Sequence, residues 1–158
     1  MLTVFFGGIL GAVLMDITET LAAKRGISSG VTVSLVGRWA IALTQGRFSH
    51  CDIHQTAPYR HEVAAGWLFH FIIGGGAVSL LFPLLWGVMS GTGLPSSPLP
   101  YLLFGLATSA LPWFILLPSF GWGWWGRQGP TGSNALLAST LSHIPYGLGI
   151  WLAVALSR

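Results

Sequence analysis

Three ionisable side chains, Asp16, His70 and His143, lie well inside long apolar runs of this 158-residue chain. At 1.5 Å of rise per helical residue, each lies ~10–13 Å from the same polar end of its run. Ionisable groups inside a membrane usually face a bundle interior or a wet cavity, because exposure to lipid costs several kcal/mol. The three residues therefore predict one polar site shared by three helices.

Small residues flank each of these side chains at helical spacing. Residues four apart share a helix face. The flanking pairs are Ala12 and Thr20, Gly66 and Gly74, and Ser139 and Gly147. Two interpretations stay open: close packing of helix backbones, or room for a bound group beside the imidazoles.

Several other polar residues extend this candidate site. Glu19 is about one turn from Asp16, Glu62 precedes the second apolar run, and His50 lies in the loop between the first two runs. The guanidinium of Arg38 is planar and can donate two parallel hydrogen bonds, which suits an anion or a carboxylate. The candidate ligand site is Asp16, Glu19, Arg38, His50, Glu62, His70 and His143.

Three kinds of chemistry suit these residue types. Imidazole and carboxylate are common ligands of divalent metals, so His70, His143, Asp16 and Glu62 are candidate metal ligands. A haem between His70 and His143 is less favoured. A proton relay, or a buried ion pair involving Arg38, is the third alternative.

Four apolar runs are long enough to position these side chains across a membrane. They cover about residues 2–23, 64–89, 100–120 and 135–156, and a spanning helix needs about 20 residues. Apolar residues from Val33 to Leu43 recur near helical spacing, which predicts a short amphipathic helix between the first two spans, either in the interface plane or packed against the bundle. We therefore expect one all-α membrane domain over residues 1–158, built as a four-helix bundle.

Composition supports a membrane protein. Charged residues make up 7% of the chain and hydrophobic residues 53%, whereas soluble domains carry about 25% charged residues. So few charges exclude an ordinary soluble domain, a disordered chain and a nucleic-acid binder. Membrane lipid is the expected surrounding, and a homo-oligomer or a larger membrane complex the expected assembly.

Basic residues predict the orientation in the membrane. Six of the seven fall in or beside residues 26–62 and 121–133, which four spans place on one side: Lys24, Arg25, Arg38, Arg47, Arg60 and Arg127. We expect these loops in the cytoplasm and both termini on the opposite side. Trp122, Trp124 and Trp125 favour an anchor at the headgroup level.

Several spaced motifs resemble a known family. They include Met15-Asp16, Gly37-Arg38-Trp39, Gly46-Arg47-Phe48-Ser49-His50, the set Glu62, Gly66, Trp67, His70 and Gly74, and the set Ser139, His143, Gly147, Leu148 and Gly149. Together they resemble a family of small bacterial integral membrane proteins, the domain of unknown function 2938. The resemblance implies a four-helix bacterial membrane protein, and we expect this one in the cytoplasmic membrane. It implies no activity, substrate or cofactor.

Three functions are compatible with this sequence. The first is a buried, cytoplasm-facing site that binds a metal, a cofactor or a small polar ligand, with or without catalysis. The second is a small transporter or a proton-coupled permeation unit. The third is a non-catalytic accessory subunit of a larger membrane complex.

Overall fold

Five helices and no strands make up the fold in the computed structural model, which describes residues 1–158. The helices are α1 (Leu2–Ala23), α2 (Val33–Thr44), α3 (Glu62–Ser90), α4 (Leu99–Ser119) and α5 (Asn134–Leu156). All except α2 are long and apolar enough to cross a membrane. The predicted bundle of four spanning helices, with a shorter helix between the first and second, is confirmed.

Glycines allow α1 and α5 to approach each other closely. A Cβ at Gly149 would collide with the backbone of Gly11, and one at Gly7 would lie 2.8 Å from the Cβ of Ala153. On the other side of α5, a Cβ at Gly147 would collide with the carbonyl oxygen of Tyr101 on α4. Small residues therefore hold the bundle together by backbone contact, as expected where lipid removes the hydrophobic gain of helix association.

Helix α3 widens into a π-helical segment over Phe69–Ala77. The Tyr146 hydroxyl donates to the carbonyl oxygens of Gly74 at 3.2 Å and Gly75 at 2.7 Å, which gives partners to polar backbone atoms of this segment. The segment includes His70. Such π turns are frequent at functional sites.

The loops cluster at one end of the bundle. The backbone N–H of His50 donates to the Ser119 carbonyl at 2.8 Å, and the Thr131 hydroxyl donates to the Ser29 carbonyl at 3.1 Å. At the other end, Arg158 donates to the Leu94 carbonyl at 2.7 Å. The segments between α1 and α3 and between α4 and α5 therefore share one end, here called the loop end, as four spans require. Which side of a membrane it faces stays a prediction.

A small apolar core stabilises the loop end. Trp122 is 2% exposed and packs in this core, whereas Trp124 is 59% exposed. The interpretation of Trp122 as an interfacial anchor is therefore wrong, because its ring is covered by protein. The buried members of the core are Leu35, Trp39, Ile53, Leu117, Phe120, Trp122 and Ala135.

Candidate functional site

The structure divides the predicted site residues into separate groups. Arg38 pairs with Glu62, and Asp16 pairs with His70. Glu19 lies in the same cleft as the second pair. His50 and His143 each contact a backbone carbonyl instead.

Arg38 and Glu62 form a bidentate ion pair. The guanidinium Nε donates to Oε2 and its NH2 group donates to Oε1, both at 2.9 Å. Two of the three remaining N–H groups are also used, because NH1 donates to the carbonyl oxygens of Ile53 at 3.2 Å and Thr56 at 2.9 Å. The two side chains are only 12% and 11% exposed. Four of the five N–H groups of this arginine are therefore engaged inside the protein, which leaves one N–H on NH2 and no free edge for bidentate binding of an external anion.

Close helix packing creates this pair. A Cβ at Gly37 would collide with the carbonyl of Glu62, and one at Gly66 would collide with the carbonyl of Val33. Helix α2 therefore lies directly on the first turns of α3 and is not an isolated interfacial helix. The hydrogen bonds that Arg38 donates to the Glu62 carboxylate raise the pKa of the guanidinium above its ordinary value, which keeps it charged.

Asp16 and His70 form a second, looser pair within the spanning helices α1 and α3. The Nε2 atom of His70 lies 3.0 Å from Oδ1 of Asp16. The two groups are within ion-pair distance but lack the alignment of a hydrogen bond, and Nε2 is buried without a hydrogen-bond partner. The side chains of His70 and Asp16 are 26% and 37% exposed. Both retain capacity to contact another molecule.

This second pair lines an open cleft of about 340 Å³, here called the α1–α3 cleft. Its polar lining residues are Asp16, Glu19, Thr20, Ser28, Thr32 and His70. Its apolar lining residues are Ala23, Val31, Val33, Val36 and Trp67. Residues 28–36 form the third wall, since they run from the loop after α1 into α2.

Glu19 is held in this cleft by the loop that follows α1. The Ser29 hydroxyl donates to Oε1 of Glu19. The Ser29 carbonyl in turn accepts the hydrogen bond from Thr131, so the loop is tied to the segment before α5. The other carboxylate oxygen of Glu19, Oε2, accepts no hydrogen bond from a protein side chain.

His143 and His50 lie outside the lining of the cleft. His143 Nδ1 donates to the Ser139 carbonyl on its own helix at 2.7 Å, which leaves the neutral imidazole with a lone pair on Nε2. His50 Nδ1 lies 3.3 Å from the Ser119 carbonyl at the end of α4. The structure therefore does not bring all seven predicted residues together.

The residues present do not fit the predicted metal centre. Nowhere in the chain are three or more His, Cys, Asp and Glu side chains grouped so that they could hold a metal ion. Glu62 is engaged by Arg38, and Asp16 and His70 supply only two ligands. A haem between His70 and His143 stays a prediction.

Sequence reasoning placed Asp16, Glu19 and His70 in the candidate site but missed other residues that line the cleft, among them Ala23 and Trp67. Asp16, Glu19, Thr20 and Ala23 recur at the spacing of one helix face, and Trp67 lies one turn before His70. These spacings were visible in the sequence and indicate the two helical walls. The contribution of Ser28 and Thr32 was not visible, because it depends on the path of a loop.

The family of this chain follows from its similarity to known proteins. Residues 5–157 match the family described as "Protein of unknown function (DUF2938)". No curated protein and no solved structure is significantly similar to the chain. Because the match covers nearly the whole four-helix bundle, including both ion pairs, the chain belongs to the DUF2938 family.

Proposed function

We propose that this chain is an integral protein of the bacterial cytoplasmic membrane that binds a small polar ligand in the α1–α3 cleft. The observation that carries the proposal is the placement of Asp16, Glu19 and His70 around one open space of about 340 Å³. Binding sites for small molecules are concave and mostly apolar, with a few polar groups that fix orientation. The cleft is concave and has both kinds of lining, but with six polar and five apolar residues it is more polar than such sites usually are, which favours a polar ligand.

The distribution of acidic residues supports a binding role. The chain has four acidic residues. Glu62 is neutralised by Arg38 in a buried pair, and Asp52 caps a turn in the loop. The other two, Asp16 and Glu19, both line the cleft. A carboxylate in a spanning helix costs several kcal/mol of free energy unless it has a partner or faces a polar cavity. Asp16 and Glu19 both face the cleft, and each has carboxylate oxygen lone pairs that accept no hydrogen bond from the protein.

The orientation follows from the basic residues. Lys24, Arg25, Arg47, Arg60 and Arg127 are exposed at the loop end, whereas Arg158 is at the opposite end. An excess of Lys and Arg marks cytoplasmic loops. The loop end, and with it the mouth of the cleft, therefore faces the cytoplasm. Transport through this cleft and a role as an accessory subunit stay predictions.

A thermal-shift series on detergent-purified protein tests the binding role. The probes are n-butylammonium, 1-butanol, n-butyrate, Mg²⁺ and inorganic phosphate. A ligand that binds only the folded state stabilises it by about 2.7 kcal/mol at 100 times its Kd. We expect at least one probe to raise the Tm of the wild type and of the loop control Asp52→Asn by clearly more than it raises the Tm of Asp16→Asn. A series in which no probe does so would overturn the proposal.

A further inference from the structure

We propose that the ligand of the α1–α3 cleft is a small protonated alkylamine. This inference rests on the proposed binding function and names its ligand class. The ammonium group would lie against Asp16 and Glu19, and the alkyl chain would lie against Trp67 and the valines of residues 31–36.

Charge is the first reason. Two carboxylates line the cleft, and the only basic side chain that lines it is His70. Arg38, the residue best suited to an anion, gives both edges of its guanidinium to Glu62 and to backbone carbonyls. With both carboxylates ionised, the net charge of the lining is negative whether His70 is neutral or protonated. An anionic ligand would meet repulsion here, whereas a cation would meet attraction.

Hydrogen-bonding capacity is the second reason. A primary ammonium group has three N–H donors and no acceptor. Five of the lining residues carry acceptor oxygens: Asp16, Glu19, Thr20, Ser28 and Thr32. Two of these oxygens, Oγ of Ser28 and Oγ1 of Thr32, already accept a backbone N–H.

The apolar lining is the third reason, and it separates an alkylamine from a metal ion. Trp67 is 43% exposed and its ring centre lies 6.2 Å from that of His70. The Trp67 ring therefore lies beside the Asp16–His70 pair and offers apolar surface to the alkyl chain of a cation bound there. A bare metal ion gains nothing from the four small apolar side chains that complete the lining, and the cluster of three or more ligands that it needs is absent.

Titration calorimetry with matched probes tests the ligand class. n-Butylammonium, 1-butanol and n-butyrate share one alkyl chain and differ in head-group charge. We expect n-butylammonium to bind about tenfold more tightly than 1-butanol, because a charge-assisted hydrogen bond is roughly twice as strong as a neutral one. We expect no heat of binding for n-butyrate.

Paired variants locate the site. Asp16→Asn should weaken n-butylammonium binding about tenfold, and Trp67→Leu about threefold. The controls Asp52→Asn and Trp124→Leu change the same residue types outside the cleft, and they should leave the affinity at the wild-type value. Equal affinity in Asp16→Asn and wild type would overturn this location of the site.

The outcomes separate the two proposals. Binding of phosphate, Mg²⁺ or n-butyrate that is lost in Asp16→Asn, without binding of n-butylammonium, would overturn the alkylamine and leave the binding function standing. Equal affinity for n-butylammonium and 1-butanol would also overturn the alkylamine. Absence of binding by every probe would overturn both. Circular dichroism of each variant identifies any that fails to fold, and Glu19→Gln then replaces Asp16→Asn as the test of the carboxylates.

Discussion

The guanidinium of Arg38 and the carboxylate of Glu62 share two parallel hydrogen bonds of 2.9 Å, although 24 residues separate them in the chain. This pair joins α2 to the first turn of α3. Because both groups are largely buried, the pair has a structural role, and Asp16 and Glu19 are the acidic side chains that line the α1–α3 cleft.

Breaking this pair should destabilise the protein strongly. Removing one partner of a buried ion pair typically costs about 3–5 kcal/mol, because the remaining charge is left without compensation. We expect Arg38→Ala and Glu62→Ala each to lower the Tm in detergent markedly. The control Arg60→Ala removes an exposed arginine and should change stability by no more than about 0.5 kcal/mol. Similar Tm values for all three variants would show that the pair is not structural.

A glycine pair tests the close packing of the helices. A Cβ at Gly147 would collide with the Tyr101 carbonyl, whereas no atom lies within 4 Å of a Cβ at Gly87. Backbone cannot move aside as a flexible side chain can, so Gly147→Ala should cost about 1–3 kcal/mol. Gly87→Ala should be neutral or slightly stabilising, because alanine has the higher helix propensity. Thermal unfolding of the two variants in one detergent gives the comparison, and a larger loss in Gly87→Ala would contradict the packing.

Asp52 should make the loop end sensitive to acid. The backbone N–H of His54 donates to its carboxylate at 3.0 Å, and this bond holds the pKa of Asp52 below its usual 3.8. A lowered pKa means that the stabilisation is present above pH 3.8 and is lost as the pH falls through the folded-state pKa. Asp52→Asn should therefore lose less stability than wild type on acidification. Unfolding curves at neutral and acidic pH measure the difference, and an equal loss in both proteins would refute this role.

The fold could be predicted from the sequence, because spanning helices follow from length and hydropathy. A chain with 7% charged residues and four long apolar runs has few other ways to satisfy its backbone. The short helix before α3 was also predictable from the helical spacing of its apolar residues. Its position was not, because the contact of Gly37 with Glu62 involves backbone atoms far apart in the chain.

The candidate site was only partly predictable. Counting residues from a helix end gives depth, so Asp16 and His70 were correctly expected at one level. Depth does not give the rotation of a residue about the helix axis. His143 was therefore predicted to share the site with Asp16 and His70, although it lies outside the cleft lining. The π-helical segment at Phe69–Ala77 adds a change in helical phase beside His70 that no local pattern indicated.

Thiol accessibility across one helix tests the cleft most directly. In a Cys51→Ser background, which removes the exposed native thiol, single cysteines are placed on the cleft face of α1 (Asp16→Cys, Thr20→Cys) and on its outer face (Ile17→Cys, Leu21→Cys). Ile17 and Leu21 are 51% and 48% exposed and lie at nearly the same depths as Asp16 and Thr20.

In membranes, lipid should cover the outer face while water fills the cleft. We therefore expect a charged, water-soluble thiol reagent to modify the cysteines at positions 16 and 20 rapidly, and those at 17 and 21 slowly. Equal rates on the two faces, or faster modification at 17 and 21, would show that α1 borders no hydrated cleft and would contradict the proposed binding site.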